Sequence, residues 1–491
     1  MAQTRIMGVT LGIMFSLFMA AMEATVVATA MPTIVGQLGG LASYSWVFSA
    51  YMLASTTTIP LYGKISDLYG RKPVFLFAMA LFLIGSALSG QAHSIHQLIG
   101  FRVLQGLGAG GLLPLAFIMI GEIFSFEQRA RMQGLFSGVW GVASIIGPLL
   151  GGFLVDQLSW RWVFYINLVP GLISAALVWI FWCDAEEGKE GASKPVIDYA
   201  GVIFLTSSVV TLLYGLYQIQ TPRGWVFLAV AGILFIALLG VERKAADPVL
   251  PIFLFRNRLF AIAVAHGVLA GWAMFGSTSF VPLFVQMVLE TSATKAGSVL
   301  TPQMLGWVLA SIVGSRLLLR LSYRTIILVG MSSLTLGAFL MSLVSINSTL
   351  PGIMVNAALM GIGMGLSVPP FMIAIQSSVE RKELGTATST LQFARLIGGA
   401  MGVNVMGMIL SLKVASNLIA AGVGMTNVPL QDLMRPLHAG TAAVNMTLRV
   451  ALAGAVESVF VGAFVAAAAG LLICAFTPYK RLERSSKNQA D

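Results

Sequence analysis

A run of about twenty predominantly apolar residues, the length of a helix across the hydrocarbon of a bilayer, recurs fourteen times along this chain. The runs lie near 7–29, 44–63, 74–92, 97–121, 132–154, 162–182, 199–218, 225–241, 259–287, 297–319, 324–345, 350–374, 390–411 and 456–477. Lipid offers no water to satisfy a backbone N–H or C=O, so each spanning segment has to bond within itself as a helix. The short alternating strands of an outer-membrane barrel are not seen. Composition agrees: of 491 residues 57% are hydrophobic and only 10% charged, more apolar side chain than a soluble core of this length can enclose. The net charge of +10 is spread over short connecting segments, whereas a nucleic-acid-binding module needs a clustered basic face. The expected fold class is an all-α membrane protein with 14 transmembrane helices.

An even number of spans returns the C-terminus to the side of the N-terminus, and Lys and Arg say which side that is. Of the 29 such residues, 21 fall on the terminal side, among them Lys64, Arg71, Lys72, Arg129, Arg131, Arg243, Arg316 and Lys480. Six fall opposite, at Arg161, Arg223, Lys295, Lys413, Arg435 and Arg449, while Arg102 and Arg395 lie inside runs. Basic residues collect on the cytosolic side, so both termini are expected in the cytosol of a multi-pass protein of the inner or plasma membrane. One missed span would scramble the alternation downstream of it, and the alternation runs unbroken. Arg5, the first run and Ala28-Thr29-Ala30 imitate a cleavable signal, yet Glu23 inside that run has no purpose in a disposable segment. Cys183 and Cys474 both fall toward cytosolic span ends, where a disulfide is not expected.

Glycines repeat at a nearly fixed interval. Gly106, Gly108 and Gly110, followed by Pro114, match Gly361, Gly363 and Gly365, followed by Pro369, at an offset of 255. Gly134, Gly147 and Gly151 match Gly385, Gly398 and Gly402 at an offset of 251, and Gly63 matches Gly314 at the same 251. Two homologous halves with a binding site at their interface are a secondary-transporter design. The expected division is a six-helix bundle over 1–183, a linker over 184–198, an inserted helix pair over 199–241 and a second linker over 242–258. A second six-helix bundle over 259–479 follows, with an outer loop at 412–455, and then a tail over 480–491.

Several motifs resemble a known family. Gly63-Lys64-Ile65-Ser66-Asp67-Leu68-Tyr69-Gly70-Arg71-Lys72 is similar to the loop signature of the major facilitator superfamily, and Arg102 with Gln105, Gly106 and Gly108 to its fourth-span motif. Gly138, Gly141, Gly147, Pro148, Gly151 and Gly152 resemble its fifth-span antiporter motif. Met22-Glu23-Ala24-Thr25 through Pro32 resembles the first-span motif of the fourteen-span drug:proton antiporter branch, and Trp160 to Asn167 and Leu384 to Gly399 extend the likeness. The chain departs from the branch in having Glu23 where Asp is usual, and Leu318 and Leu321 in the second-half copy of the loop. The resemblance implies the major facilitator fold, two six-helix bundles plus two inserted helices, and multidrug efflux in exchange for protons.

The residues give these implications physical content. An ionisable group inside hydrocarbon costs several kcal/mol unless paired, neutralised or wetted, which makes Glu23 a functional candidate and Arg102 its expected partner for proton coupling. A fixed ion pair that only orients helices is the other reading. Glu122 lies about 30 Å along the helix from Arg102, too far to pair, and is either a second proton-accessible carboxylate or a helix-end residue at the interface. Gly63, Asp67, Gly70, Arg71 and Lys72 resemble a cytosolic gate, although Arg71 and Lys72 also serve as positive-inside anchors. The span-five glycines are expected to close-pack helices, with Gly147-Pro148 adding a bend, and a hinge role is compatible with this. Trp272, Phe275 and Gln392 are candidate substrate-cavity residues, and 412–455 is expected as a flexible loop or a helical lid.

No Gly-x-x-x-x-Gly-Lys-Ser/Thr loop occurs, so energy is expected from a proton gradient, with no cofactor and no metal. The histidines His93, His96, His266 and His438 show no metal-ligand spacing within a span, and no nucleophile elbow is present, so an enzyme is not expected. The expected partners are protons, membrane lipids and a lipophilic, often cationic small molecule, bound by a monomer. Competition of proton and substrate for Glu23 would couple the two fluxes. Export of a native lipid or secreted metabolite is the alternative, and a non-transporting sensor a further one.

Overall fold

The computed structural model describes residues 2–40, 43–124, 126–182, 198–219, 221–245, 248, 252–318, 320–379, 384–420 and 442–479. Fifteen α-helices occur among them: α1 Ala2–Leu38, α2 Tyr44–Tyr69, α3 Arg71–Gly90, α4 Ile95–Ile123, α5 Phe126–Gln157, α6 Trp162–Tyr165, α7 Leu168–Phe181 and α8 Tyr199–Tyr217. There follow α9 Pro222–Glu242, α10 Arg258–Leu283, α11 Ala293–Leu317, α12 Tyr323–Met341, α13 Leu350–Gln376, α14 Leu384–Ala420 and α15 Ala442–Cys474. Hydroxyl and amide caps start many of them: Ser94, Thr221, Asn257, Ser292 and Ser322 each accept a bond from a backbone N–H of the first turn. Among the described residues twelve helices are long and apolar enough to cross a membrane. The expected segments 44–63 and 199–218 are helical but fall outside that set. In α2 the reason is a polar run, Ser55 to Thr58, whose hydroxyls donate to carbonyls of the preceding turn.

The helices pair in a repeated pattern. In the first half α1 packs on α5 and α7, and α2 and α3 pack on α4; in the second half α10 packs on α14 and α15, and α11 and α12 on α13. The glycine repeat explains the match. A Cβ on Gly106 or Gly110 would strike α2 at Tyr51 or Ser55, and on Gly361 or Gly365 would strike α11 at Gln303 or Trp307. Gly108 is blocked by backbone of Phe82 and Ala78 on α3, and Gly363 by Leu334 and Gly330 on α12. Without side chains at these points the backbones approach closely, which is how helices gain contact in lipid.

The halves meet through α5 on α11 and α2 on α14, with α1 lying against α10. These two main contacts exchange under the repeat, which relates α5 to α14 and α2 to α11. The described hydrogen bonds between the halves lie toward the face opposite the N-terminus, here the far face. Tyr44 donates to the Ser279 carbonyl at 2.6 Å, Gln286 to the Thr29 carbonyl at 2.8 Å, and Ser49 to the Ala400 carbonyl at 3.1 Å nearer mid-depth. At the far rim the Asp156 carboxylate accepts from the Ala293 and Thr294 backbone and from the Thr294 hydroxyl, so the end of α5 caps the start of α11. The α8–α9 hairpin leans on α2 and α14.

One expectation is corrected and another refined. The loop expected over 412–455 is helical at both ends, because α14 runs on to Ala420 and α15 begins at Ala442; 421–441 lie outside the described residues. The sixth run holds as one candidate span over Trp162–Phe181, interrupted at Ile166–Asn167 between α6 and α7, because Pro170 has no N–H for the Ile166 carbonyl. Cys183 and the segments 184–197 and 480–491 also lie outside the described residues.

Candidate functional site

Glu23 and Arg102 form an ion pair inside the first bundle, 1% and 2% exposed. Ser94 starts α4 at the far face, which sets Arg102 about two turns deep, level with Glu23 on α1. Arg102 also donates to the Gln105 amide oxygen at 2.7 Å and to the Val47 carbonyl at 3.3 Å, and its guanidinium stands 4.0 Å from the Tyr51 ring centre. The break between α6 and α7 presents Asn167, whose amide donates to Glu23 at 2.6 Å and to the Ser86 hydroxyl at 3.0 Å. Gln105 donates to the same hydroxyl at 3.3 Å, and Ser86 donates onward to the Phe164 carbonyl at 2.8 Å. Elements α1, α2, α3, α4 and the α6–α7 junction thus meet at one enclosed polar centre. Asn167, Ser86 and Tyr51 carry roles that no sequence signal assigned; an amide in the run 162–182 was the available hint.

A charge pair this deep survives only because its lone pairs and N–H groups are met by neutral dipoles. Chemically it is a carboxylate that can take up one proton, tied to a cation that then loses its counter-charge. Glu23 is walled off in this conformation, so a substrate does not reach it directly.

The other expected site residues fall in separate places. Gly63, Asp67 and Glu122 lie on helical backbone of α2 and α4, with side chains outside the described residues. Gly70 joins α2 to α3 at φ +90°, where a side chain would be strained. Arg71 donates to the Ser66 hydroxyl at 2.6 Å, and the Lys72 ammonium stands 5.1 Å from the Trp179 ring. The span-five motif divides by face. Gly147 and Gly151 abut Thr25 and Thr29 of α1; Gly152 abuts Ala293 and Thr294 of α11, and the Pro148 carbonyl lies against Gly297. Gly141 faces Val308 at ordinary contact distance, and Gly138 faces open space. Trp272 packs on Gly402 and Phe275 on Gly399 in the second bundle, whereas Gln392 lines a pocket with Arg395. Among the described residues no cluster of His, Cys, Asp and Glu could hold a metal ion.

Two helical repeats around a shared interface, with an ion pair buried in one of them, define a multi-pass membrane protein of the secondary-transporter type. The family model of the Major Facilitator Superfamily matches residues 13–403, and the chain belongs to that family. It is 38% identical over 414 residues to the multidrug transporter protein MdtP of Bacillus subtilis, covering 83% of this chain and 76% of that one. It is also 38% identical over 423 residues to multidrug resistance protein 3 of the same organism, covering 85% and 82%. Among solved structures, an inward-facing bacterial homolog of the human lysosomal transporter Spinster superposes with a TM-score of 0.69 at 16% identity, covering 95% of this chain and 96% of that one.

Proposed function

We propose that this chain is a proton-coupled exporter of lipophilic drugs or toxic compounds in the cell membrane, working by alternating access, with fourteen spans and both termini in the cytosol. The observation that carries the reading is the enclosed Glu23–Arg102 pair in a molecule whose described hydrogen bonds between the halves lie toward one face. The family and the relatives named as a multidrug transporter and a multidrug resistance protein support it. Asp156, Tyr44 and Gln286 tie the halves together at the far face, which supports a state closed there. Substrate enters from the cytosol and the halves rock about the interface. When the far face opens, Glu23 takes a proton from outside; Arg102 loses its counter-charge and turns to Gln105, Val47 and Tyr51, loosening α1 from α4. The proton leaves to the cytosol when the present arrangement re-forms. Coupling therefore runs through helix packing, not through direct competition at the carboxylate, because substrate has no path to Glu23 here.

One proton entering down about 100 mV and one pH unit supplies about 3.7 kcal/mol, enough for a concentration ratio of a few hundred for a neutral compound. The test uses proteoliposomes with an imposed proton gradient and three fluorescent probes: ethidium, Nile red and 11-(dansylamino)undecanoate. Movement of at least one, abolished by a protonophore and by Glu23→Gln, is the expected result. Gradient-driven movement that persists in Glu23→Gln would remove Glu23 as the coupling group, and no movement of any probe would overturn the export reading.

A further inference from the structure

The second bundle holds a part-buried arginine beside a buried histidine, a site that proton exchange at Glu23 does not use. Arg395 stands on α14 about 16 Å from the start of that helix, in the half of the bundle nearer the terminal face. It lines a pocket with His266 and Gly267 of α10, Phe371 of α13 and Gln392 of α14. Gln392 accepts a bond from Arg395 Nη2 at 2.5 Å, and the guanidinium lies 5.7 Å from the Trp307 ring. Arg395 Nε meets no acceptor among the described residues. His266 is 2% exposed with its ring 4.7 Å from that of Phe371, and its Nε2 is likewise without a hydrogen-bond partner. No acidic side chain lines the pocket among the described residues.

Arg102, buried more deeply, has a carboxylate of its own. Arg395 has an amide oxygen and an aromatic face, and beside it a second buried nitrogen with nothing to bond. A cation in hydrocarbon is costly unless paired or wetted, and a buried donor left unmet costs more. Both deficits would be cancelled by one group, an anionic acceptor brought in from outside, beside the apolar side chains of Phe371, Met372 and Leu391 that also line the pocket. We propose that this pocket takes the carboxylate end of a lipophilic substrate, with Arg395 and His266 donating to its oxygens. The proposal rests on the export reading and specifies the substrate class.

The experiment titrates 11-(dansylamino)undecanoate and its methyl ester into the full chain in phosphatidylcholine nanodiscs, read by dansyl fluorescence. The native chain is expected to bind the acid at least tenfold more tightly than the ester, since a charge-assisted pair contributes that much. Arg395→Gln is expected to erase this preference by weakening the acid alone, Arg395→Lys to keep part of it, and His266→Gln to lower it severalfold. Equal binding of acid and ester by the native chain, or a preference unchanged in Arg395→Gln, overturns the proposal. Loss of the acid's preference over the ester in nanodiscs containing phosphatidylglycerol also overturns it, by assigning the pocket to a lipid headgroup. Arg395→Lys serves if Arg395→Gln fails to fold. Failure of the export reading shows separately, as absence of gradient-driven movement of all three probes in the native chain.

Discussion

The Glu23–Arg102 centre makes a testable asymmetry. Replacing Arg102 with Met removes the ion pair, the bonds to Gln105 and Val47 and the stacking on Tyr51, and leaves a buried carboxylate held by Asn167. Breaking a buried pair from one side costs about 3–5 kcal/mol. Replacing Glu23 with Gln is milder. The new amide oxygen still accepts from Arg102, and the Asn167 Oδ1, which has no partner among the described residues, can rotate to meet the new N–H donors. The loss is then the difference between a charged and a neutral hydrogen bond, about 1–2 kcal/mol. In the double variant neither charge is left uncompensated, so its cost is expected about 1–3 kcal/mol below the sum of the single effects. The assay is reversible denaturation of the purified chain in detergent for all four proteins, beside gradient-driven export in proteoliposomes. The double variant is expected to recover stability without recovering export. Additive stability losses would refute the pairing, and restored export would reduce the pair to a structural tie.

Three further outcomes follow from the packing. Asp156→Asn weakens the cap that α5 places on α11, and a loss of about 1–2 kcal/mol raises the far-face-open population about five- to thirtyfold; electron-paramagnetic distances between labels on α5 and α11 measure it. Unchanged distances would discard Asp156 as a latch. Gly108→Ala and Gly363→Ala drive a methyl into neighbouring backbone and are each expected to cost about 1–3 kcal/mol, whereas Gly138→Ala meets open space and is expected to be neutral or slightly stabilising in the same denaturation assay. Gly152→Ala crowds Thr294 and is expected to lengthen the same α5–α11 distances without altering acid binding.

What could be read in the sequence follows from how each feature is made. Hydropathy located the helices because lipid selects them residue by residue, yet it could not place their ends. Beyond the hydrocarbon α14 and α15 persist because they pack on each other, a tertiary cause. Glu23 and Arg102 were visible as paired candidates because two lone charges at one depth are expensive apart. Ser86 was not, since a serine in an apolar run is ordinarily self-satisfied: Ser16, equally buried, donates to its own backbone at Ile13. Nothing local distinguishes it from Ser86, which serves Asn167, Gln105 and Phe164. His266 looked inert by the same logic, because its meaning lies in Arg395, 129 positions away and one helix across.

The charge arrangement also bears on energetics. Glu23 and Arg102 cancel, and Arg395 is balanced by no acid among the residues of its pocket, so a bound monoanion leaves the cavity neutral. Exchange of that anion for one incoming proton moves two charges in the favourable direction. At about 100 mV and one pH unit this supplies about 6 kcal/mol, a ratio on the order of 10⁴. Exchange of a monovalent cation for a proton moves no net charge and keeps only the pH part, about 1.4 kcal/mol or tenfold. A potassium and valinomycin potential at equal pH should therefore drive dansylated undecanoate through the native chain and leave ethidium where it is. Transport of both acid and cation at rates indifferent to the potential would mean that anion and proton do not exchange one for one, and the two-charge exchange would have to be abandoned.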